Sequence, residues 1–146
     1  MTDDLHAAAS ARLAARDHRY TTNRRRVVDV LDRAAHPTTI REIVAHDEAL
    51  AISSAYRNLS ILAESGVVHR VTSTDEFARY ELAEDLTDHH HHHLICSGCG
   101  SVDDFTVGAQ IETTLARALS AVAAHTGFQI ESHRLDLVGR CARCSR

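Results

Sequence analysis

The amino-acid sequence predicts an α+β fold with three segments: an N-terminal winged helix-turn-helix domain over residues 1–82, a hinge over 83–88, and a small C-terminal α/β domain over 89–146. Three observations support this prediction. Apolar residues recur at helical spacing through the first 65 positions, two short strand-like runs follow them, and C-x-x-C pairs bracket most of the second half.

The first segment is expected to contain four helices and a hairpin. Composition and apolar periodicity predict helices at residues 4–16, 23–34, 39–49 and 53–65. Thr39 and Glu42 have the spacing of a capping box at the start of the third helix, and Ser53 and Ser54 offer an N-cap for the fourth. Residues 67–71 and 77–82 then resemble two strands joined by a polar turn, which completes the winged helix.

The second segment begins after a polar, acidic stretch that shows no periodicity, which is why we place the hinge there. Strands are expected at 89–96, 102–105 and 129–138, with a helix at 109–125. A domain of about 60 residues usually needs a metal or an oligomeric partner to fold stably.

Charge and composition exclude several classes of function and favour one. The 146 residues, 44% of them hydrophobic, are too few for a barrel or a doubly wound oxidoreductase. The net charge is −4, yet positions 12–41 hold eight arginines against three aspartates, and such a local basic patch can bind nucleic acid. No apolar run is long enough to span a membrane, and the acidic start lacks the features of a signal peptide, so we expect a cytoplasmic protein with no membrane partner.

The four cysteines form two C-x-x-C pairs, and in the cytoplasm such pairs are more often metal ligands than disulfides. Four thiolates match the tetrahedral preference of Zn²⁺, so the pairs predict a structural zinc site at Cys96, Cys99, Cys141 and Cys144. A redox dithiol is the alternative, but that chemistry usually places one pair at a helix start in a thioredoxin-like setting.

Residues 89–93 form a run of five histidines close to the first cysteine pair. In a strand, alternate side chains point to opposite faces, so His91 and His93 would face one way while His90 and His92 face the other. One run can therefore contribute to two metal sites. Further ligands could come from His36, His69, Glu81, Glu112, His125 and His133.

Taken together, these motifs resemble the Fur (ferric uptake regulator) family of metal-dependent transcriptional repressors. The likeness is found in R-Y-T-T-N-R at 19–24, I-S-S-A-Y-R-N-L at 52–59, the His-rich run with its cysteine pair at 89–100, and H-R-L-D-L-V-G-R-C-A-R-C at 133–144. These motifs occur in the family's order, and the resemblance covers about residues 19–144.

The resemblance implies specific partners and ligands. It implies structural Zn²⁺ on the four cysteines, a C-terminal domain that forms a homodimer, and double-stranded operator DNA as the partner. It implies a regulatory divalent metal, Fe²⁺ or Zn²⁺ with Mn²⁺ or Ni²⁺ possible, held at the hinge by His36, Glu81, His91 and His93. It also implies a further site inside the dimerisation domain, formed by His90, His92, Glu112 and His133.

Departures from the family pattern bear on the metal. Zinc-sensing relatives often have a cysteine where this chain has Ala83 and an aspartate where it has His69, while peroxide-sensing relatives usually have aspartate at the position of Glu81. We therefore favour an iron-type or broader divalent-metal repressor that controls metal homeostasis genes, with a zinc-uptake-regulator type as the alternative and His69 as a possible substitute ligand.

The same resemblance indicates the DNA-reading residues. Tyr56 and Arg57 are candidates for base contacts, and Ser53, Ser54 and Asn58 for phosphate contacts at the helix start. Arg19 and Arg24 are expected to add charge along the DNA backbone. A metal ion bound by both domains would set the distance between two recognition helices of a dimer, which must match half-sites about 34 to 36 Å apart.

Two other classes of function explain less of the sequence. A metal chaperone or buffer would use the histidine run but leaves the winged helix and the basic patch unexplained. An enzyme with a small-molecule substrate is not expected, because the sequence has no H-E-x-x-H or deaminase motif and four thiolates leave no open zinc position for water.

Overall fold

The structure is a computed structural model that describes residues 2–146. Its N-terminal half contains, in order, α1 (Thr2–Ala14), α2 (Thr22–Ala34), β1 (Thr38–Thr39), α3 (Ile40–His46), α4 (Ile52–Glu64), β2 (Val68–Val71) and β3 (Arg79–Leu82). The three strands form an antiparallel sheet in the order β1-β3-β2. This is a winged helix, as predicted from the sequence.

The C-terminal half contains α5 (Glu84–Thr87), β4 (His92–Cys96), β5 (Val102–Phe105), α6 (Ala109–Thr126) and β6 (Asp136–Gly139). Its sheet has the order β5-β4-β6, with β4 antiparallel to β5 and parallel to β6. The mixed helix and sheet content confirms the predicted fold class. The first and last strands of this half are shorter than the sequence predicts: β4 begins only at His92 and β6 only at Asp136.

Local signals explain where the helices begin. The side chain of Thr21 caps α2, and the predicted capping box at Thr39 and Glu42 is confirmed at α3. The predicted N-cap of the fourth helix is wrong: Ala51 is the N-cap residue, and Ser53 and Ser54 lie within the first turn of α4. Their hydroxyl groups are therefore free of a capping role and lie on the surface next to α2.

The main core lies in the N-terminal half. Side chains from α1 to α4 and from β2 and β3 enclose it, and its fully buried members include Leu13, Val27, Ile43, Leu59 and Leu62. By contrast, α6 contains no buried residue in the single chain, and all four residues of β6 are exposed. Large apolar residues of α6 and β6, such as Val122 and Leu137, therefore remain accessible for contacts with another molecule.

The connection between the halves is ordered, unlike the irregular stretch that the sequence predicts. It forms the one-turn helix α5, Ala83 is fully buried, and Leu86 packs against the N-terminal core. Arg12 of α1 also contacts Asp85, with 2.6 Å between Nη2 and Oδ2. The helix forms because buried apolar contacts fix a segment whose sequence has no long periodic pattern. The assignment of a hinge to residues 83–88 stays a prediction.

No helix within residues 2–146 is both long enough and apolar enough to span a bilayer.

Candidate metal centres and nucleic-acid interface

The four cysteines lie together where the C-terminal turn meets the end of β4. Their sulfur atoms are all within 4.8 Å of one another. The sulfur of Cys96 accepts backbone N–H groups from Cys141 and Gly98, and these bonds lower the pKa of the Cys96 thiol to about 6. Neighbouring cysteine sulfurs raise the pKa of Cys144 to about 12. Four crowded thiols of this kind are compatible with structural Zn²⁺, whose charge offsets the repulsion between thiolates.

Gly98 allows the two cysteine turns to approach each other. A Cβ atom at position 98 would lie 2.9 Å from the Cβ and 3.0 Å from the sulfur of Cys144. Because real Cβ atoms do not approach that closely, a side chain at this position would force the turns apart.

A second group lies between the two halves of the chain, and we call it the interdomain group. It consists of Glu81 from β3 with His91, His93 and Asp104, whose ligand atoms lie within 4.8 Å of one another. The Oε2 atom of Glu81 lies 3.0 Å from Nε2 of His91 and 3.1 Å from Nε2 of His93. A carboxylate of the winged helix thus contacts two imidazoles of the C-terminal domain.

The outer ring nitrogens of both histidines face acceptors. Nδ1 of His91 lies 3.2 Å from the carbonyl oxygen of His89, and Nδ1 of His93 lies 3.2 Å from Oδ1 of Asp136. Metal-binding histidines typically donate the second ring N–H to a carbonyl or carboxylate in this way, which leaves Nε2 for the metal. The arrangement is suited to a divalent ion at the Nε2 atoms.

The pKa shifts in the interdomain group also indicate a site that favours positive charge. Burial is the largest influence and opposes the charge on His91 and His93, but the hydrogen bonds to Glu81 together with the negative charges of Glu81 and Asp104 raise the pKa of both imidazoles. Burial likewise opposes the charge on Glu81, yet hydrogen bonds from His93 and His91 lower the pKa of its carboxyl. Without a metal, the site therefore favours the protonated form of both rings more than water does.

Asp104 is the member that sequence analysis did not identify. Its Oδ1 atom is buried and has no hydrogen-bond partner among the described residues, and burial raises the pKa of its carboxyl. A buried carboxylate oxygen without a donor is costly unless a cation binds it. Asp104 lies directly across from His93 in the pairing of β4 with β5, so only the strand register reveals it.

His36, expected at this site, lies in the same cleft as Glu81, His91 and Asp104 but outside the group of converging ligand atoms. Its Nδ1 atom lies 3.1 Å from the carbonyl oxygen of Pro37. His69, the possible substitute, is Glu81's cross-strand partner in the pairing of β2 with β3. The participation of either histidine in metal binding stays a prediction.

A third group, His90, His92, Glu112 and His133, lies between β4 and α6, and its ligand atoms also converge within 4.8 Å. Glu112 contacts Nε2 of His92 at 2.8 Å and Nε2 of His133 at 3.1 Å. The Nδ1 atom of His92, however, accepts the backbone N–H of Leu135. Because Nδ1 accepts this hydrogen bond, the proton of a neutral His92 ring lies on Nε2. His92 would have to lose that proton before its Nε2 atom could bind a metal.

The histidine run is thus divided as alternation predicts: His91 and His93 face the interdomain group, and His90 and His92 face the third group. Both groups contain only nitrogen and oxygen donors and are compatible with a regulatory divalent ion. The second ring nitrogens of His91 and His93 face acceptors, whereas that of His92 accepts a hydrogen bond from the backbone N–H of Leu135. The interdomain group is therefore the better prepared of the two.

A polar depression lies at the starts of α2 and α4. It is lined by eight residues, none of them acidic: Thr21, Thr22, Asn23, Arg24, Ser53, Ser54, Arg57 and Asn58. Two helix N-termini and two arginines give it a positive potential that suits a phosphate group.

Hydrogen bonds hold this depression in shape. Asn58, only 7% exposed, donates to Ser54 and accepts from Nε of Arg24, and Arg24 also donates to the carbonyl oxygen of Arg19. Asn58 thus orients Arg24 and Ser54. Tyr56 is 59% exposed on the outer face of α4, as a base-reading residue must be.

A winged helix joined to a small α/β domain that carries one four-cysteine group and two histidine–carboxylate groups defines a winged-helix metalloregulator. The sequence model described as the ferric uptake regulator family matches residues 15–138. The chain belongs to that family, whose members are transcriptional regulators rather than enzymes, and the resemblance found in the sequence is confirmed.

Individual relatives agree with this assignment. The chain is 31% identical to the peroxide operon regulator of Bacillus subtilis over 133 residues, covering 88% of this chain and 85% of the relative. It is 33% identical to the ferric uptake regulation protein of the same organism over 96 residues, or 66% and 61% of the two chains. The structure of the Helicobacter pylori ferric uptake regulator, titled as revealing three functional metal binding sites, superposes with a TM-score of 0.75 at 23% identity, covering 100% and 95%.

Proposed function

We propose that this protein is a metal-responsive repressor that binds operator DNA as a homodimer and controls genes of metal homeostasis. One divalent ion, held by Glu81, His91, His93 and Asp104, would link the winged helix to the C-terminal domain. The contact of the Glu81 carboxylate with both imidazoles is the observation that supports this proposal most strongly. The four cysteines would hold structural Zn²⁺.

The ion supplies positive charge that the two carboxylates and two neutral imidazoles of the site can share. The residues of the chain perform the switching. Glu81 moves with the wing and the other three ligands move with the C-terminal sheet, so their simultaneous engagement fixes the angle between the domains. A fixed angle allows both recognition helices of a dimer to reach half-sites about one helical turn apart.

The DNA surface in this proposal is the start of α4 together with the depression beside it. Tyr56 and Arg57 would contact base edges, while Arg24, Ser53 and Ser54 would contact phosphates. Asn58 would orient Arg24, and Arg19 would contribute charge next to it. The positive potential of the depression and the exposure of Tyr56 support this assignment.

The exposed apolar surface of the C-terminal half supports a homodimer. Large apolar side chains remain accessible in the single chain at Leu94, Ile111, Val122, Phe128, Leu137 and Val138. A helix and a strand with apolar faces of this size are stable only when those faces are covered, and a second copy of the chain supplies a matching surface.

For the metal we favour Fe²⁺ or another divalent ion that takes nitrogen and oxygen ligands, with a zinc sensor as the alternative. The interdomain group has no thiolate, which a dedicated Zn²⁺ sensor often uses, and its two carboxylates suit harder ions. The names of the relatives, a peroxide operon regulator and a ferric uptake regulation protein, do not decide between metals.

The test is DNA affinity measured against buffered Fe²⁺, Mn²⁺, Ni²⁺ and Zn²⁺, with fragments selected from genomic DNA by the protein itself. Glu81→Gln should remove the metal dependence, a loss of about 5- to 150-fold at saturating metal. Glu112→Gln, the matched change in the third group, should leave most of it. Equal loss in both variants, or metal-independent binding by the unmodified protein, would reject the proposal.

A further inference from the structure

The tip of the wing, which we define as residues 72–78 between β2 and β3, contacts the turn that carries the first two cysteines. The hydroxyl of Ser73 donates to the carbonyl oxygen of Gly100 at 2.7 Å. The hydroxyl of Thr74 donates to the carbonyl oxygen of Cys96 at 2.8 Å. Both acceptors belong to residues 96–100, which we call the first cysteine turn. These bonds join the two domains at the opposite end of β4 from the interdomain group.

Asp75 fits this contact closely. A Cβ atom at Gly100 would lie 2.2 Å from Oδ2 of Asp75, so the carboxylate occupies the space that any side chain at position 100 would need. Arg79 donates to both oxygens of Asp75, at 2.7 and 2.8 Å. The wing tip is therefore held in one shape by its own ion pair and rests on a turn that only glycine permits.

An apolar contact accompanies the polar ones. Val71 of β2, Ile95 of β4 and Val102 of β5 form a small buried cluster separate from the main core. One of its three members comes from the wing and two come from the C-terminal sheet. The wing is thus packed along the sheet between the interdomain group at one end and the first cysteine turn at the other.

The shape of the first cysteine turn depends on the four-cysteine site. Its residue Cys96 receives the backbone N–H of Cys141, and Gly98 packs against Cys144, so the turn is matched to the C-terminal cysteine turn. A metal ion bound by all four sulfurs cross-links the two turns. Without it, the first cysteine turn keeps its backbone hydrogen bonds, such as those from Gly100 to Cys96 and from Ser97 to Gly139, but loses the cross-link between the two turns.

We propose that the wing tip docks on the first cysteine turn only while the four-cysteine site holds its metal, so that this site positions the DNA-binding domain through Ser73, Thr74 and Asp75. The inference rests on the proposed zinc in the four-cysteine site but requires neither the regulatory ion nor DNA. One ion at Glu81 fixes a single point of the wing. The second contact, at the tip, fixes its rotation about that point.

Coupling between two sites is reciprocal, so loss of tip docking must weaken metal retention by the cysteines. The test uses the full-length, zinc-loaded protein and measures the rate of Zn²⁺ transfer to a chromophoric chelator. In the double variant Ser73→Ala with Thr74→Val, transfer should be at least about fivefold faster, the lower end of couplings between linked sites. Thr72→Val, an exposed neighbour without such a bond among the described contacts, should transfer at the unmodified rate.

A second measurement separates docking from general destabilisation. Hydrogen exchange over residues 72–78 should speed up in the zinc-loaded double variant and in the zinc-stripped unmodified protein, while exchange in α2 and α4 stays unchanged. Equal transfer rates in all three zinc-loaded proteins, or wing-tip exchange that ignores zinc removal, would overturn the inference and leave the proposed function intact. Less than one zinc per unmodified chain would instead reject the zinc assignment, and the inference with it.

Discussion

Nε2 of His93 lies 3.1 Å from Oε2 of Glu81, and this contact joins the last strand of the wing to the first strand of the C-terminal sheet. His93 is almost fully buried and Glu81 largely so, with side chains 1% and 12% exposed. An interaction between charged groups removed from water is much less screened than one on the surface. The protonation or metal occupancy of this pair therefore acts directly on the relative position of the two domains.

Asp104→Asn should weaken binding of the regulatory ion by at least about tenfold, because it replaces a carboxylate ligand. The same change should leave the melting temperature of the metal-free protein unchanged or raise it, since it removes a buried carboxylate that has an unpartnered oxygen and lies near Glu81. Isothermal titration and thermal unfolding measure the two effects. Asp103→Asn, at the exposed neighbouring position, is the control and should change neither.

The free energy of unfolding should depend on pH with opposite sign in the forms of the protein without and with the regulatory ion, which are called metal-free and metal-bound below. His91 and His93 have pKa values raised above the ordinary 6.5, so their contribution is complete below pH 6.5 and is lost as pH rises through the raised values. Glu81 has a pKa lowered below 4.5, so its contribution is complete above that value and is lost only as pH falls through the lowered one. A bound metal reverses the first trend, because the histidines must be neutral to bind it.

Melting temperatures recorded between about pH 5 and 8, with and without a fixed free concentration of Mn²⁺, measure this difference. Above pH 6.5 the metal-free protein should become less stable and the metal-bound protein more stable. Glu81→Gln should flatten both trends. Parallel curves for the two forms of the unmodified protein would count against metal binding at His91 and His93.

Arg57→Ala should lower the affinity for specific DNA by about 5- to 150-fold, which corresponds to the roughly 1 to 3 kcal/mol of one arginine–base contact. Zinc content should not change, because Arg57 lies at the start of α4, far along the chain from the cysteines. Fluorescence anisotropy with a selected DNA fragment measures the loss. Arg33→Ala is the control: it also removes one positive charge, but from the last turn of α2, at the end away from the depression, and it should have little effect on DNA affinity. Equal losses in the two variants would refute the assignment.

Val122→Asp should convert the protein from dimer to monomer. Val122 is 59% exposed on α6, a helix with no buried residue in the single chain, and a charge in a covered apolar surface is strongly unfavourable. We expect the dimer dissociation constant to rise at least about 100-fold by sedimentation equilibrium, equivalent to roughly 2.8 kcal/mol. Ser120→Asp, on the opposite side of the same helix, should remain dimeric. A Val122→Asp dimer of unchanged affinity would exclude this face as the interface.

The features predicted correctly from the sequence depend on short-range chemistry. The capping box at Thr39 and Glu42 involves residues three positions apart, and helical periodicity identified the buried stripe of α2 without knowledge of the rest of the fold. The alternation expected of a strand correctly separated His91 and His93 from His90 and His92, although only His92 and His93 lie within β4. In each case the signal and the structure it specifies lie within a few residues of each other.

The features that were missed depend on long-range contacts. Asp104 joins the interdomain group only because β5 pairs with β4 in a register that places it opposite His93. The helix α5 exists because Leu86 reaches the N-terminal core and Asp85 meets Arg12, which are contacts with segments far away in the chain. Ser53 and Ser54 have the right residue type for an N-cap, but the helix begins earlier, at Ile52.

Anomalous diffraction from crystals grown with Mn²⁺ or Zn²⁺ locates the regulatory ion and its ligands together. We expect a peak between the two domains with oxygen and nitrogen ligands from Glu81, His91, His93 and Asp104 at about 2.0 to 2.2 Å. A metal-loaded crystal in which every ligand of every ion outside the cysteine site came from residues 89–146 would contradict this expectation.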